Sequence, residues 1–230
     1  MSVEIEELAG AVAEVVEPAF ARLADVAGTV AAGPARRPWA EADLAPVRER
    51  LVALVAEDAM LVGLGFVAAP GIVEDRERYL LWWERKDDRL SRLRLNFDPS
   101  SIDVYDYLQM EWYQEARGGR DRVAFGPYVD YSGSGLYIVT ATVPVRVDGE
   151  FVGVAGADLV ASELERRLVT VLQRAGRDAV LVGPERRVVA ANTPRWVVGT
   201  RLPSMPVPGD EFAAVAEVPS GTGWILAIGS

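Results

Sequence analysis

The sequence predicts an α+β protein: a long N-terminal helix, then an antiparallel sheet module, then a second, smaller one. Three observations carry that prediction. Apolar residues recur at helical spacing through residues 1–30, among them Ile5, Leu8, Val12, Val16, Phe20 and Leu23. From Met60 onward the period changes to two. The period-two segments are joined by short polar turns, which suit antiparallel neighbours, whereas parallel ones need crossovers of about a dozen residues.

Taken in order, the first helix is amphipathic, with Pro18 expected to kink it, and Ala32-Gly33-Pro34 through Pro38 end it. Val47, Leu51, Leu54 and Val55 mark a second helix starting near Leu44, with Pro46 tolerated in its first turn. Leu61 to Ala68 reads as an apolar strand, and Tyr79–Arg85 with Leu90–Phe97 as a hairpin around Lys86-Asp87-Asp88. In the return strand Leu93, Leu95 and Phe97 face one way, and Arg92, Arg94 and Asn96 the other. A loop over 98–104 precedes a helix from Asp106 to Arg117 bearing Trp112 and Tyr113. Leu136–Val147 and Phe151–Asp158 form a second hairpin, turning at Asp148-Gly149. Ala161–Arg174 is helical, and four short strands follow at 179–182, 187–191, 213–218 and 224–228. The chain thus divides into an N-terminal helical region (1–59), a ligand-binding module (60–160), and a linking helix with the smaller module (161–230).

Composition narrows the chemistry. Half of the 230 residues are hydrophobic and 25% are charged, which excludes a disordered or low-complexity chain. A net charge of −10 without a basic stripe argues against a nucleic-acid partner. With no Cys and no His, thiolate chemistry, Cys-ligated metal and the commonest general base are all missing, so no metal site and no cofactor is expected. No signal peptide or membrane span is legible, so the expectation is a cytoplasmic protein with no membrane partner.

The order of motifs is distinctive. Tyr105-Asp106-Tyr107-Leu108-Gln109-Met110-Glu111-Trp112-Tyr113 is followed by Gly126-Pro127-Tyr128-Val129-Asp130, read as a Pro-Tyr-x-Asp turn, then Thr142-Val143-Pro144-Val145 and Gly153-Val154-Ala155-Gly156-Ala157-Asp158. This arrangement resembles the double Cache domains, PAS-like small-molecule sensor modules of receptors, most closely over residues 60–175. The resemblance implies a larger PAS-like module that holds the ligand and a smaller PAS-like one. Its members usually lie outside the cell between two transmembrane helices, so a free-standing relative is the reading here. In the amino-acid-binding branch, the resemblance implies, a Tyr, an Arg two residues before Trp-Tyr, the Trp-Tyr pair and two later Asp residues surround the ligand. Tyr105, Trp112, Tyr113, Asp130 and Asp158 fall on those positions, whereas the Arg position is Met110. Arg would clamp a carboxylate; Met offers a soft apolar surface.

The residues themselves agree with a cation site. Asp158 ends a strand whose period-two partners Val152, Val154 and Gly156 are apolar, so its carboxylate needs a partner, unless it caps the next helix. Asp130 also suits a turn before Tyr131-Ser132-Gly133. Aromatic faces beside carboxylates favour an ammonium. Trp82 and Trp83 point to opposite faces of one strand, and Trp83 is the one favoured for the pocket, with Tyr128 and Tyr137 as further lining.

The function expected is therefore a non-enzymatic sensor for a small cationic or zwitterionic ligand: a polyamine, biogenic amine, quaternary ammonium or amino-acid derivative. It would work as a homodimer through residues 3–30 and pass its signal to a separate regulator protein. The alternative is a dimeric interaction protein with a vestigial pocket. Catalysis would rest on carboxylates such as Glu111, Asp130 and Asp158. Gly133-Ser134-Gly135 lacks the outer glycine of a nucleophile elbow, and Gly63-x-Gly65 the third glycine of a dinucleotide loop.

Overall fold

The apolar stripe of residues 1–30 becomes a single helix, α1 (Ser2–Ala31), in the computed structural model, which describes residues 2–86 and 89–230. Its 30 residues span about 45 Å, and it runs unbroken through the exposed Pro18. Its apolar positions, from Ile5 through Val12, Phe20 and Leu23 to Val30, are buried against the rest of the chain. A 3-10 turn at Glu41–Leu44 leads into α2 (Ala45–Val55), with Pro46 in its first turn.

The first sheet is six-stranded and antiparallel throughout: β1 (Leu61–Ala68), β2 (Tyr79–Lys86), β3 (Arg89–Arg92), β4 (Val123–Val129), β5 (Tyr137–Val147) and β6 (Glu150–Val160), in the order β3-β2-β1-β6-β5-β4. A crossover of residues 93–122 carries the chain from one edge to the other, and α3 (Glu111–Arg117) lies within it. Alternation divides the side chains between two cores. Leu64, Phe66, Leu81 and Ala157 pack under α1 and α2; Val67, Leu80, Trp82 and Val154 face the crossover with Trp112 and Tyr113. The second module follows α4 (Ala161–Leu172): β7 (Ala179–Val182), β8 (Val188–Ala191), β9 (Phe212–Glu217) and β10 (Ile225–Gly229), an antiparallel sheet ordered β8-β7-β10-β9. The helix α1 contacts both sheets, through β5 and β6 of the first and β9 and β10 of the second. The fold is thus the expected α+β arrangement of a long helix and two antiparallel modules.

Four local expectations are corrected. The return strand pairs at Arg89–Arg92 alone, because beyond Leu93, whose N–H still reaches the Trp82 carbonyl, the chain turns into the crossover. The alternation outlasts the pairing: Leu93, Leu95 and Phe97 still pack inward. The tip of that hairpin, at residues 87–88, lies outside the described residues. The helix expected from Asp106 to Arg117 is interrupted: a 3-10 turn at Tyr107–Gln109 ends in an extended Met110 before α3 begins. Gly126–Asp130, read as a turn motif, belongs largely to β4, whose register with β5 shifts between Phe125 and Tyr128. Val152 does not share a face with Val154, because a bulge near Gly153 reverses the alternation and puts Val152 in the core under α1.

Past α3 the crossover is tied to its surroundings. The Arg122 guanidinium donates to both Glu17 carboxylate oxygens (2.6 and 2.9 Å) and to the Ser220 carbonyl (3.3 Å), and sits 4.9 Å from the centre of the Phe20 ring.

Candidate functional site

The crossover closes over the sheet and leaves a cavity of about 30 Å³ between them. Its floor is Trp82. The cross-strand partner of Trp82 is Gly65, and Gly63 and Gly156 flank it; a methyl group built on Gly63 or Gly65 would overlap the indole. These glycines let the ring lie on the sheet, which explains Gly63-x-Gly65 without a nucleotide. Trp112 of α3 and Tyr105 wall the cavity from the crossover, Leu93 and Leu95 from its first extended stretch, and Tyr128 from β4. The α3 backbone is held in place where Thr142 Oγ1 donates to the Trp112 carbonyl at 3.1 Å.

Asp158 and Asp130 supply the charge. Asp158 sits opposite Thr140 in the β5–β6 ladder and accepts from Thr140 Oγ1 at 2.8 Å; that oxygen is in turn 2.7 Å from the Tyr128 hydroxyl. With Asp158 ionised, the two hydroxyl protons must run from Tyr128 to Thr140 to Asp158, a chain with one donor per link. Asp158 does not cap α4, whose N-cap is Val160. Burial, and secondarily the nearby charges of Asp130 and Glu84, push the Asp158 carboxyl up to about 7, against the opposing Thr140 hydrogen bond. Burial raises Glu84 as well, on the same side of β2, helped by Asp130. The Tyr105 and Tyr128 phenols are held above their ordinary value, first by burial and then by the Asp158 charge, so both stay neutral.

Asp130 has local partners. Its carboxylate accepts from the Gly133 N–H (3.1 Å), the Ser134 N–H (2.7 Å) and the Ser134 hydroxyl (3.1 Å), organising the loop that forms one lip of the cavity. A side chain at Gly133 would collide with this carboxylate. Both readings of Asp130 therefore coexist: it shapes its turn, and it lines the cavity. Among the described lining residues there is no Arg or Lys, and among the described residues no group of acidic side chains is arranged to hold a metal ion.

Of the residues singled out in the sequence, Tyr105, Trp112, Tyr128, Asp130 and Asp158 come together here. Four do not. Trp83 points to the opposite core, since Trp82 pairs with Gly65 on the cavity face, which reverses the expected choice between them. Tyr113 is fully buried behind Trp112, in edge contact with Trp112, Tyr107 and Phe151, and its hydroxyl has no partner among the described residues. Met110 packs on that aromatic cluster and is not a lining residue. Tyr137 is half exposed on the other side of β5, its hydroxyl against Gly199 of the second module. Sequence reasoning missed Trp82, Thr140, Leu93 and Leu95. Thr140 carried no signal in the sequence: counting back from the Asp148-Gly149 turn sets it opposite Ala157, and the bulge at Val152 moves it opposite Asp158.

An antiparallel module with an enclosed polar pocket under a helical crossover, extended by a smaller module along one long helix, defines a PAS-like sensor of the double Cache type. The chain belongs to the family described as methyl-accepting chemotaxis protein-like, first PDC sensor domain, which matches residues 47–166, more than half of its length. It is 28% identical over 119 residues to the methyl-accepting chemotaxis protein PscA of Pseudomonas syringae pv. tomato, a match covering 51% of this chain and 19% of that protein. In fold it is similar to the ligand-binding domain of the Campylobacter jejuni chemoreceptor Tlp3 in complex with L-valine: TM-score 0.64, 16% identity, 98% of this chain and 90% of that one. The ligand-binding domain of the Pseudomonas aeruginosa amino-acid chemoreceptor PctC with GABA gives a TM-score of 0.58 at 18% identity, covering 96% and 94%. Among the described residues no helix is long and apolar enough to cross a membrane.

Proposed function

We propose that this chain is a non-enzymatic sensor module whose first sheet binds a small amine. The observation that carries the reading is a cavity with two carboxylates, aromatic walls and no basic side chain among its described lining. L-valine and GABA, held by the relatives, each pair an ammonium with a carboxylate. This cavity offers Asp130 and Asp158 to an ammonium and, with Met110 at the motif's Arg position, no guanidinium to a carboxylate. Cation–π attraction to Trp82 and Trp112 would contribute about 0.5–2 kcal/mol. A cavity of about 30 Å³ has room for roughly one or two waters, so entry of an amine requires its lining to move apart.

That small volume is also what favours the second reading, an interaction protein with a vestigial pocket. Thermal melting with a panel of putrescine, spermidine, choline, ethanolamine, GABA and L-valine separates them. An amine at about 100 times its dissociation constant stabilises the fold by roughly 2.7 kcal/mol, a melting shift on the order of 5–10 °C. Silence across the panel discards the amine reading and leaves the vestigial pocket. The homodimer through α1 and the separate output regulator belong to the same proposal. The stripe that suggested dimerisation is buried within the chain, so light scattering has to find an association made by the remaining face of α1. Fractionation of the tagged chain tests the cytoplasmic expectation.

A further inference from the structure

A second cavity lies on the other side of Leu80, Leu93 and Leu95, and its chemistry is opposite. These leucines line both cavities; around the second, of about 340 Å³, stand Arg76, Arg78, Arg92 and Arg94. In a chain of net charge −10, this groove gathers four arginines against one lining carboxylate, Glu41.

Two carboxylates nearby are already engaged. Glu41, on the rim, accepts from Arg92 Nη1 at 2.8 Å, while Arg92 Nη2 donates to the Tyr79 hydroxyl at 3.2 Å. Asp106 accepts from Arg78 Nη2 at 3.1 Å. What remains is a surplus of donors. Among the described residues Arg78 Nε is buried with no partner, and Arg76 and Arg94 form no side-chain ion pair within 4.0 Å, Arg76 acting on Glu41 from a distance. A buried N–H of a charged group without an acceptor is unfavourable, and an anion oxygen that reaches it would relieve that cost. Leucines and Phe97 form an apolar floor beneath the guanidinium rim.

We infer that this groove is a binding site for a small multivalent anion, one carrying two or more carboxylate or phosphate groups that the guanidiniums of Arg76, Arg78 and Arg94 take up. Guanidinium forks match the paired oxygens of either group. The site is independent of the amine cavity in charge and shares its leucine wall.

Isothermal titration of the full chain with citrate and, separately, with pyrophosphate at fixed ionic strength tests this. One-to-one binding weakened at least tenfold in the Arg76→Ala/Arg94→Ala variant, and retained in Asp158→Asn, is the expected result. Tighter citrate assigns the site to carboxylates; tighter pyrophosphate assigns it to phosphates. Both substituted arginines are exposed, so circular dichroism of the double variant should match the parent. Heats equal to those of sodium chloride for both probes, or an affinity the double variant leaves unchanged, overturn the inference.

Discussion

The two sheets share a strand pattern and differ in what covers them. The second sheet, β8-β7-β10-β9, repeats the order of β2-β1-β6-β5 in the first, with the crossover shortened to residues 192–211 and carrying no α-helix. On the second sheet that connection fills the space: Trp196 stacks on Phe212 at 5.7 Å over Val180, Val182, Val188 and Ala227. On the first, glycines let Trp82 lie down on the strands, and a longer crossover arches over it. One topology therefore yields a packed interior or a pocket according to where the bulk sits. A tryptophan projecting from the connection plugs the sheet; one lying on the sheet paves a floor.

Four experiments break or sharpen this contrast. Trp196→Ala should lower stability by about 3–5 kcal/mol, as truncation of a core Trp does, while amine affinity at a temperature where the variant is folded stays within about twofold. Chemical denaturation and calorimetric titration read the two effects. Asp158→Asn should do the converse, removing about 1.5–3 kcal/mol of charged hydrogen bonding to the ligand and leaving the ligand-free protein as stable or more so. Unfolding of that variant would make Asp158 structural. Gly65→Ala forces the indole off the sheet and should cost about 1–3 kcal/mol, whereas Gly183→Ala, whose new methyl would meet neighbours at an ordinary 3.7 Å, should cost less than about 1. Equal losses in the two melts would refute the floor argument.

The fourth concerns pH. Asp158 titrates near 7 in the folded chain against about 3.9 unfolded, so folding takes up a proton between these values. Its contribution to stability is full at low pH and is lost as pH rises from about 4 to 7. Amine binding needs the ionised form, so affinity should rise by up to tenfold per unit below 7 and level off above it. Asp158→Asn should flatten both profiles, as followed by melts and titrations from pH 5 to 8.

Much of the fold was legible because local rules determined it. Leu61–Ala68 and Ala179–Val182 match the expected strands, and the β5–β6 turn follows from Asp148-Gly149, both with positive φ. The site was half legible. Tyr105, Trp112 and the two aspartates could be placed from the motif order of the resemblance, which the cavity lining brings together. The choice between Trp82 and Trp83 could not, since alternation gives two faces without saying which one a crossover will cover. Met110 was misplaced because the motif's Arg position was carried over to it, whereas its extended backbone before α3 leaves the side chain on the aromatic cluster. Period two failed at Val152 because a bulge is a tertiary adjustment that leaves the pattern around it intact.

The ties of Arg122 connect the crossover to the rest of the molecule. Nine residues separate Trp112, a wall of the cavity, from Arg122, whose guanidinium grips Glu17 near the midpoint of α1 and the Ser220 carbonyl beyond β9. Because α1 packs along its length on both sheets, this one tether joins the cavity wall to the helix that the two modules share and to the second module at once.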